Sequence, residues 1–392
     1  MINGRRPVKE CDQSGTERGK SMTRPARRRA LTAAAAAVLV TLLAACTSTS
    51  TTVLSPTAAG TVPPQTGKGG TPTPTVGKDG RTTTPAGTAI GPAVATAVEV
   101  PAKDLTPWTA RRATKKCIGL AGRSTLKVAG KQGSDQLKQR KLASKTTIDA
   151  RTASWSGEVN YPILVDGGRG ACIVGATAMG TWPPKTTWSE MHDVAVMRLS
   201  NAASIVEDVR FHDYGDGIRL IDGAQDFLVR RAYLSYMRDD CIENDYANSG
   251  IIQDSLFDGC YNAFSSRQYD GMDRNRDGSG DVWLIRDSLV RLQPMESVYK
   301  ERGKVPGHAG FFKWDAEGPQ IQLVNNVFRA DQDANTVGLD IPLDKLRTCS
   351  GNTMVWLGEG PYPGTLPACF TLTRDRSVWD AAVARWKASH GY

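Results

Sequence analysis

One short segment keeps returning along this chain, and its spacing limits the fold more than any single motif does. It reads IVEDVRF (205–211), LVRRAYL (228–234), IIQDSLF (251–257), LIRDSLV (284–290) and LVNNVF (323–328). The first three copies are 23 residues apart, and the fourth and fifth follow after 33 and 39, as the same unit would if insertions lengthened its loops. A second strand recurs between them: GIRLI (217–221), CIEND (241–245), AFSSR (263–267) and FFKWD (311–315). Short strands rich in Val, Ile, Leu and Phe, separated by Gly, Asp and Asn at a fixed period, predict stacked coils, because each unit buries too thin a core to stand alone. An antiparallel sandwich does not predict the same strand pair returning in register. The expected fold is all-β, a single-stranded right-handed parallel β-helix over residues 106–392, with YPILVD (161–166), ACIVGA (171–176) and VAVMRL (194–199) as earlier coils. Near the end, Trp379, Ala382, Val383 and Trp386 have helical spacing, which predicts a C-terminal helix that packs on the solenoid or covers an end.

The N-terminal third obeys different rules. RPARRR (24–29) precedes an uncharged apolar run, 31–46, that is shorter than the roughly 20 residues of a membrane span and ends in small residues. Its last four residues, LAAC, resemble the lipobox of bacterial lipoproteins. The resemblance implies a signal peptide over 1–45, with Met22 as an alternative start, and lipid attachment at Cys46 on the extracellular face of the cytoplasmic membrane. Residues 46–105 are Thr, Pro, Gly, Ala and Ser with scarcely a large apolar side chain, so they cannot offset their ordering entropy and read as a tether. The formal charge of +9 then divides: residues 1–45 hold nine Lys+Arg against three Asp+Glu, leaving 40 against 37. Removing the export segment takes away the main support for nucleic-acid binding, and a monomer held at the membrane only by its lipid is expected.

Eight cysteines are present. With Cys11 ahead of the alternative start and Cys46 the lipid site, Cys117, Cys172, Cys241, Cys260, Cys349 and Cys369 remain. An even number in an exported domain predicts three disulfides, with fifteen connectivities open; the nearest-neighbour choice is Cys117 to Cys172, Cys241 to Cys260 and Cys349 to Cys369.

On these repeats, residues 115–345 resemble the pectin-lyase-like superfamily and, within it, exported bacterial β-helix repeat proteins. Strand alternation predicts that Ile218, Ile242, Phe264 and Phe312 point inward. Arg219, Glu243, Ser265 and Lys313 then form one outward column, and Ile221, Asp245, Arg267 and Asp315 its neighbour. Opposite charges alternate along both, so cross-strand ion pairing accounts for the pattern as well as a ligand-binding face does.

The string Asp239-Asp240-Cys241 is similar to the DDC segment of the polygalacturonase family of glycoside hydrolases. That resemblance implies an aspartate that protonates the glycosidic oxygen and others that activate water, with Asp216 one coil earlier as a third carboxylate. It also implies a bridge between consecutive coils after the motif, Cys241 to Cys260. The family's downstream Gly-His-Gly and Arg-Ile-Lys segments are absent; His308-Ala309-Gly310 and Phe312-Lys313-Trp314 stand nearest. At a β-helix corner, Asp239 and Asp240 equally suit backbone capping.

In the 33-residue interval, DRNRDGSGD (273–281) matches the first part of a calcium loop, with oxygen donors Asp273, Asn275, Asp277, Ser279 and Asp281 and Gly278 at the sharp turn. Leu284 stands where the bidentate Glu would be, so Ca2+ needs a carboxylate from elsewhere; a solvated Asp/Asn/Gly turn is the other reading.

Two functions fit. One is a surface protein that binds and cleaves a polysaccharide, as a hydrolase or as a lyase on an acidic glycan. Its candidate catalytic residues are Asp216, Asp239, Asp240, Glu243, Arg267 and Lys313, with Arg267 or Lys313 as the base of an elimination. Asp245, Tyr246, Trp314 and Asp315 are candidate substrate contacts, and Tyr236, Tyr261 and Tyr269 are further aromatics nearby. The other is a non-catalytic module that binds glycan or wall polymer or acts as a spacer.

Overall fold

The computed structural model describes residues 117–268, 277–296 and 307–392. The export segment, Cys46, the tether, Tyr269, Asp273 and Asn275 lie outside them.

Each copy of the repeated segment is two strands and a corner. In 205–211, Ile205–Glu207 is one strand, Asp208 turns the chain, and Arg210–Tyr214 is the next. The turning residue has positive φ in seven successive coils: Gly175, Asp208, Arg231, Asp254, Asp287, Asn325 and Gly351, at 48° to 76°. Asp and Asn tolerate this region better than other side chains and Gly adopts it freely, hence the Asp/Asn/Gly punctuation. These corners bond up the stack, as where Gly175 N–H donates to Glu207 O (2.9 Å), Asp254 N–H to Arg286 O (3.1 Å) and Asn325 N–H to Ser350 O (2.9 Å).

A coil therefore has three strands where two are evident from the repeat. Every named strand pair among the described residues is parallel, and the 22 strands wind as one continuous sheet into a parallel β-helix. It runs from Ser124–Gly133 to Phe370–Thr373, inside the expected 106–392 and past the 115–345 on which the resemblance rests. The expected inward column is continuous: Leu137, Ile163, Met197, Ile218, Ile242, Phe264 and Phe312 are paired in register on one face. Inside, small aliphatic residues give way toward the C-terminus to aromatic ones, with Phe264, Trp283, Phe312 and Phe328 in tilted or edge contacts.

At the corner column the interior also carries a polar ladder. Ser288 N–H donates to Asn326 Oδ1 and Asn326 N–H to Asn352 Oδ1, both at 3.0 Å, so buried amides satisfy buried backbone groups from coil to coil.

Two α-helices accompany the sheet among the described residues. The one-turn helix α1, Trp188–Met191, sits in the connection between two coils. Helix α2, Arg376–His390, lays Val378, Trp379, Ala382 and Trp386 against Leu256, Leu289, Val327 and Val355, on the outside of a face. Of the two placements expected, it packs on the solenoid. Three disulfides join Cys117 to Cys172, Cys241 to Cys260 and Cys349 to Cys369, the nearest-neighbour pattern.

Candidate functional site

The first outward column forms as expected: Arg219 pairs with Glu243, Glu243 with Ser265 and Ser265 with Lys313. Above it opens a cleft of about 900 Å³, lined among others by Asp239, Glu243, Asp245, Tyr246, Arg267 and Lys313. The DDC segment reaches it through a break in alternation. A register shift between Met237 and Asp240 marks the corner, and the consecutive Cys241 and Ile242 both enter the core. That brings Asp239 to the cleft with Asp240 buried beneath it, and the Cys241–Cys260 bridge fixes the corner to the next coil.

Beneath the cleft, carboxylates crowd two cations. Asp216, Asp240 and Glu243 each offer an oxygen, all within 4.8 Å of one another. Arg219 pairs with Asp216 (Nε to Oδ2, 3.0 Å) and with Glu243, and it donates to the Tyr161 hydroxyl (2.8 Å) and the His192 carbonyl (2.7 Å). Lys313 Nζ lies 2.7 Å from Asp240 Oδ2, whose other oxygen accepts from Asn262 Nδ2, also at 2.7 Å. Asp216 Oδ1 accepts the Asp240 N–H at 3.0 Å, and Ile218 aligns with Ile242, so Asp216 stacks on Asp240 while Asp239 follows Gly215. Arg219 and Lys313 supply at this cluster the positive charge that a metal ion would supply elsewhere.

Five carboxyls against two partly buried cations displace proton affinities. Burial, reinforced by the charge of Asp240, pushes Asp239 well above the usual carboxylate range. Burial, reinforced by Asp216, does the same to Glu243. Asp240 and Asp245 are raised as well, chiefly by burial, with Lys313 opposing at Asp240 and a hydrogen bond with Glu243 opposing at Asp245. Burial works against the charge on Lys313, yet the carboxylates, Asp240 foremost, outweigh it and raise its pKa; Arg219 follows the same logic with Asp216.

The remaining expected residues divide. Arg267 stands half-exposed at the rim, its N–H 3.3 Å from Asp245 Oδ1 and its guanidinium 3.9 Å from Asp315. Asp315 accepts the Gln268 N–H at 2.9 Å and serves the rim from behind. Trp314 does not line the cleft; its indole donates to Pro319 O (2.9 Å) and packs edge-on to Trp283. Tyr236 turns instead to His212 and Arg238, while Tyr246 and Tyr261 do line the cleft. Of the calcium-loop residues, Asp277 receives both the N–H (2.8 Å) and the hydroxyl (2.7 Å) of Ser279, capping the 3₁₀ turn Gly278–Gly280, and Asp281 accepts from Gln225 at 3.2 Å. These three donors are thus engaged in local bonds.

Several lining residues were not legible in the sequence. Trp188 and His192 come from α1 with their rings stacked at 4.5 Å, and the Trp188 indole donates to Asp239 Oδ1 at 3.0 Å. Tyr161 lines the opposite coil at φ 52°, and Arg198 extends the Arg219 column. Their only signal was position: α1 interrupts the repeat, and Tyr161 begins the YPILVD strand.

No protein-family model matches the chain, and no curated protein and no solved structure matches it.

Proposed function

We propose that this is a polysaccharide hydrolase of the cell surface, attached by lipid at Cys46, whose β-helix is akin to the pectin-lyase-like superfamily. The observation that carries the reading is a cleft lined by Asp239, Glu243 and Asp245 with the partly buried cations Arg219 and Lys313, backed by buried Asp216 and Asp240. Asp239, held near its neutral form and bonded through one oxygen to Trp188, keeps the other oxygen for a proton to give the glycosidic oxygen. Asp245, whose raised pKa makes it the stronger base, takes the proton of the attacking water. Asp216, Asp240 and Glu243, with Arg219 and Lys313, set the field and hold the corner rigid. Tyr161, Tyr246 and Tyr261 offer aromatic surface for sugar rings, and Arg267 at the rim suits an acidic sugar. The DDC string followed by a disulfide to the next coil supports the superfamily kinship.

Elimination through Lys313 is disfavoured because a basic Lys313 would need a lowered pKa, and its carboxylate neighbours raise it, which leaves Arg267 at the rim as the base open to a lyase. The non-catalytic module has one observation in its favour: Asp216, Asp240 and Glu243 each already hold a cation, which suffices for a structural ladder.

The test is reducing-sugar release over uronate and neutral polymers, with ultraviolet absorbance for unsaturated products, in the presence and absence of a calcium chelator. Release abolished by Asp239→Asn and Asp245→Asn is expected. Binding without release would establish the non-catalytic module, an unsaturated product would establish a lyase, and loss on chelation would bring the 273–281 loop into the reaction.

A further inference from the structure

The small overall charge of the chain beyond residue 45 conceals a strong separation. Residues 117–145, which make up the first coil, carry seven Lys+Arg against one Asp+Glu, whereas residues 146–392 carry 25 against 33. This coil is the N-terminal end of the solenoid. Ser124–Gly133 bonds only to the coil above it, and so does Leu137–Leu142. Lys131, Lys138, Lys141 and Lys145 are exposed there and form no ion pair with any described residue. Further along the solenoid, buried cations are matched: Arg230 and Arg231 share Glu207, and Arg238 holds Asp213.

Lysines on an open edge have one ordinary use, preventing edge-to-edge pairing between molecules. That use is indifferent to sign, and at the other end of the solenoid residues 346–392 mix five Lys+Arg with three Asp+Glu. The first coil is cationic almost throughout. Its lysines line neither the large cleft nor the second one beside α2, so they suit a flat, diffuse array of anions better than a single polymer strand in a groove. The first coil is also the part of the solenoid nearest in chain order to Cys46.

We infer that the first coil is a membrane-facing platform that binds anionic phospholipid headgroups through Lys131, Lys138, Lys141 and Lys145. Such binding would turn the end coil to the lipid and leave the cleft coils further along the solenoid free for substrate.

The experiment is co-sedimentation of the full chain carrying Cys46→Ala with vesicles of phosphatidylcholine alone and of phosphatidylcholine mixed with phosphatidylglycerol, at low and high salt. The apolar run 31–46 is common to every sample, so the difference between compositions is the reading. The anionic vesicles should bind about tenfold tighter or more at low salt, and high salt should remove the difference. Combined Lys131→Glu, Lys138→Glu, Lys141→Glu and Lys145→Glu should abolish it, with the same four positions changed to Gln giving a partial loss at unchanged melting temperature. Equal binding to both compositions, or a preference that survives the four Glu substitutions, overturns the inference. Displacement of the bound chain by an equal charge of soluble polygalacturonate also overturns it, in favour of an acidic polymer.

Discussion

The first coil and the coils that carry the cleft share one backbone plan and treat charge in opposite ways. The cleft coils bury it: Asp240 is 1% exposed, and its ammonium partner Lys313 arrives from a strand 73 residues later. The first coil displays it, on exposed lysines that form no ion pair with any described residue. In a desolvated setting an unpaired charge costs several kcal/mol, so partners there are obligatory, whereas exposed charges interact weakly and are free to face something outside the molecule. The parallel stack permits both because it fixes side-chain positions without fixing their chemistry.

The comparison can be broken most directly at Lys313. Lys313→Met leaves Asp240 buried without its cation and should cost about 3–5 kcal/mol in denaturant unfolding. The loss should shrink in acid, where Asp240 takes a proton. A cost within the range of a surface change would mean that the cleft pairs are no more important than surface ones. Next in size, Asp239→Asn should lower sugar release by about 100-fold or more while circular dichroism and melting stay near those of the parent.

A pH series sharpens the contrast further. Asp239 and Glu243 hold protons more tightly in the folded chain than in the unfolded one. Their contribution to stability is therefore complete below the ordinary carboxylate value of about 4 and is lost as pH climbs through their raised values. Melting temperature should fall over that interval, and Asp239→Asn should flatten part of the slope; an unchanged slope would mean that Asp239 titrates normally. The smallest effect belongs to the first coil, where Lys141→Gln should change stability by no more than about 0.5 kcal/mol. A larger change would give that lysine a structural partner.

Much of this was legible in the chain because strand alternation and coil period are local properties. The column Ile218, Ile242, Phe264 and Phe312 follows from period-two alternation inside a repeated unit, and so does its outward neighbour from Arg219 to Lys313. The third strand of each coil was hidden, since Asp208 and its equivalents turn the chain inside what reads as one strand. Trp314 was misjudged for a related reason: at the end of its strand, proximity in sequence to Lys313 did not settle which way the indole packs, and Trp283 with Pro319 holds it away from the cleft. Trp188 and His192 lie outside the repeat, so no pattern pointed to them.

The amino-acid sequence by itself determined the coil, its period, the disulfide-bearing positions and the charge of each coil, because these depend on residue type at fixed spacing. Only the tertiary structure decided which charges meet. Asp216, Asp240 and Lys313 converge through the stacking of coils of unequal length, and the break at Cys241 and Ile242 turns the DDC corner toward the cleft. Burial there, a property of the assembled stack, raises the proton affinity of Asp239 and Glu243, and the same stack leaves the first coil's lysines in solvent.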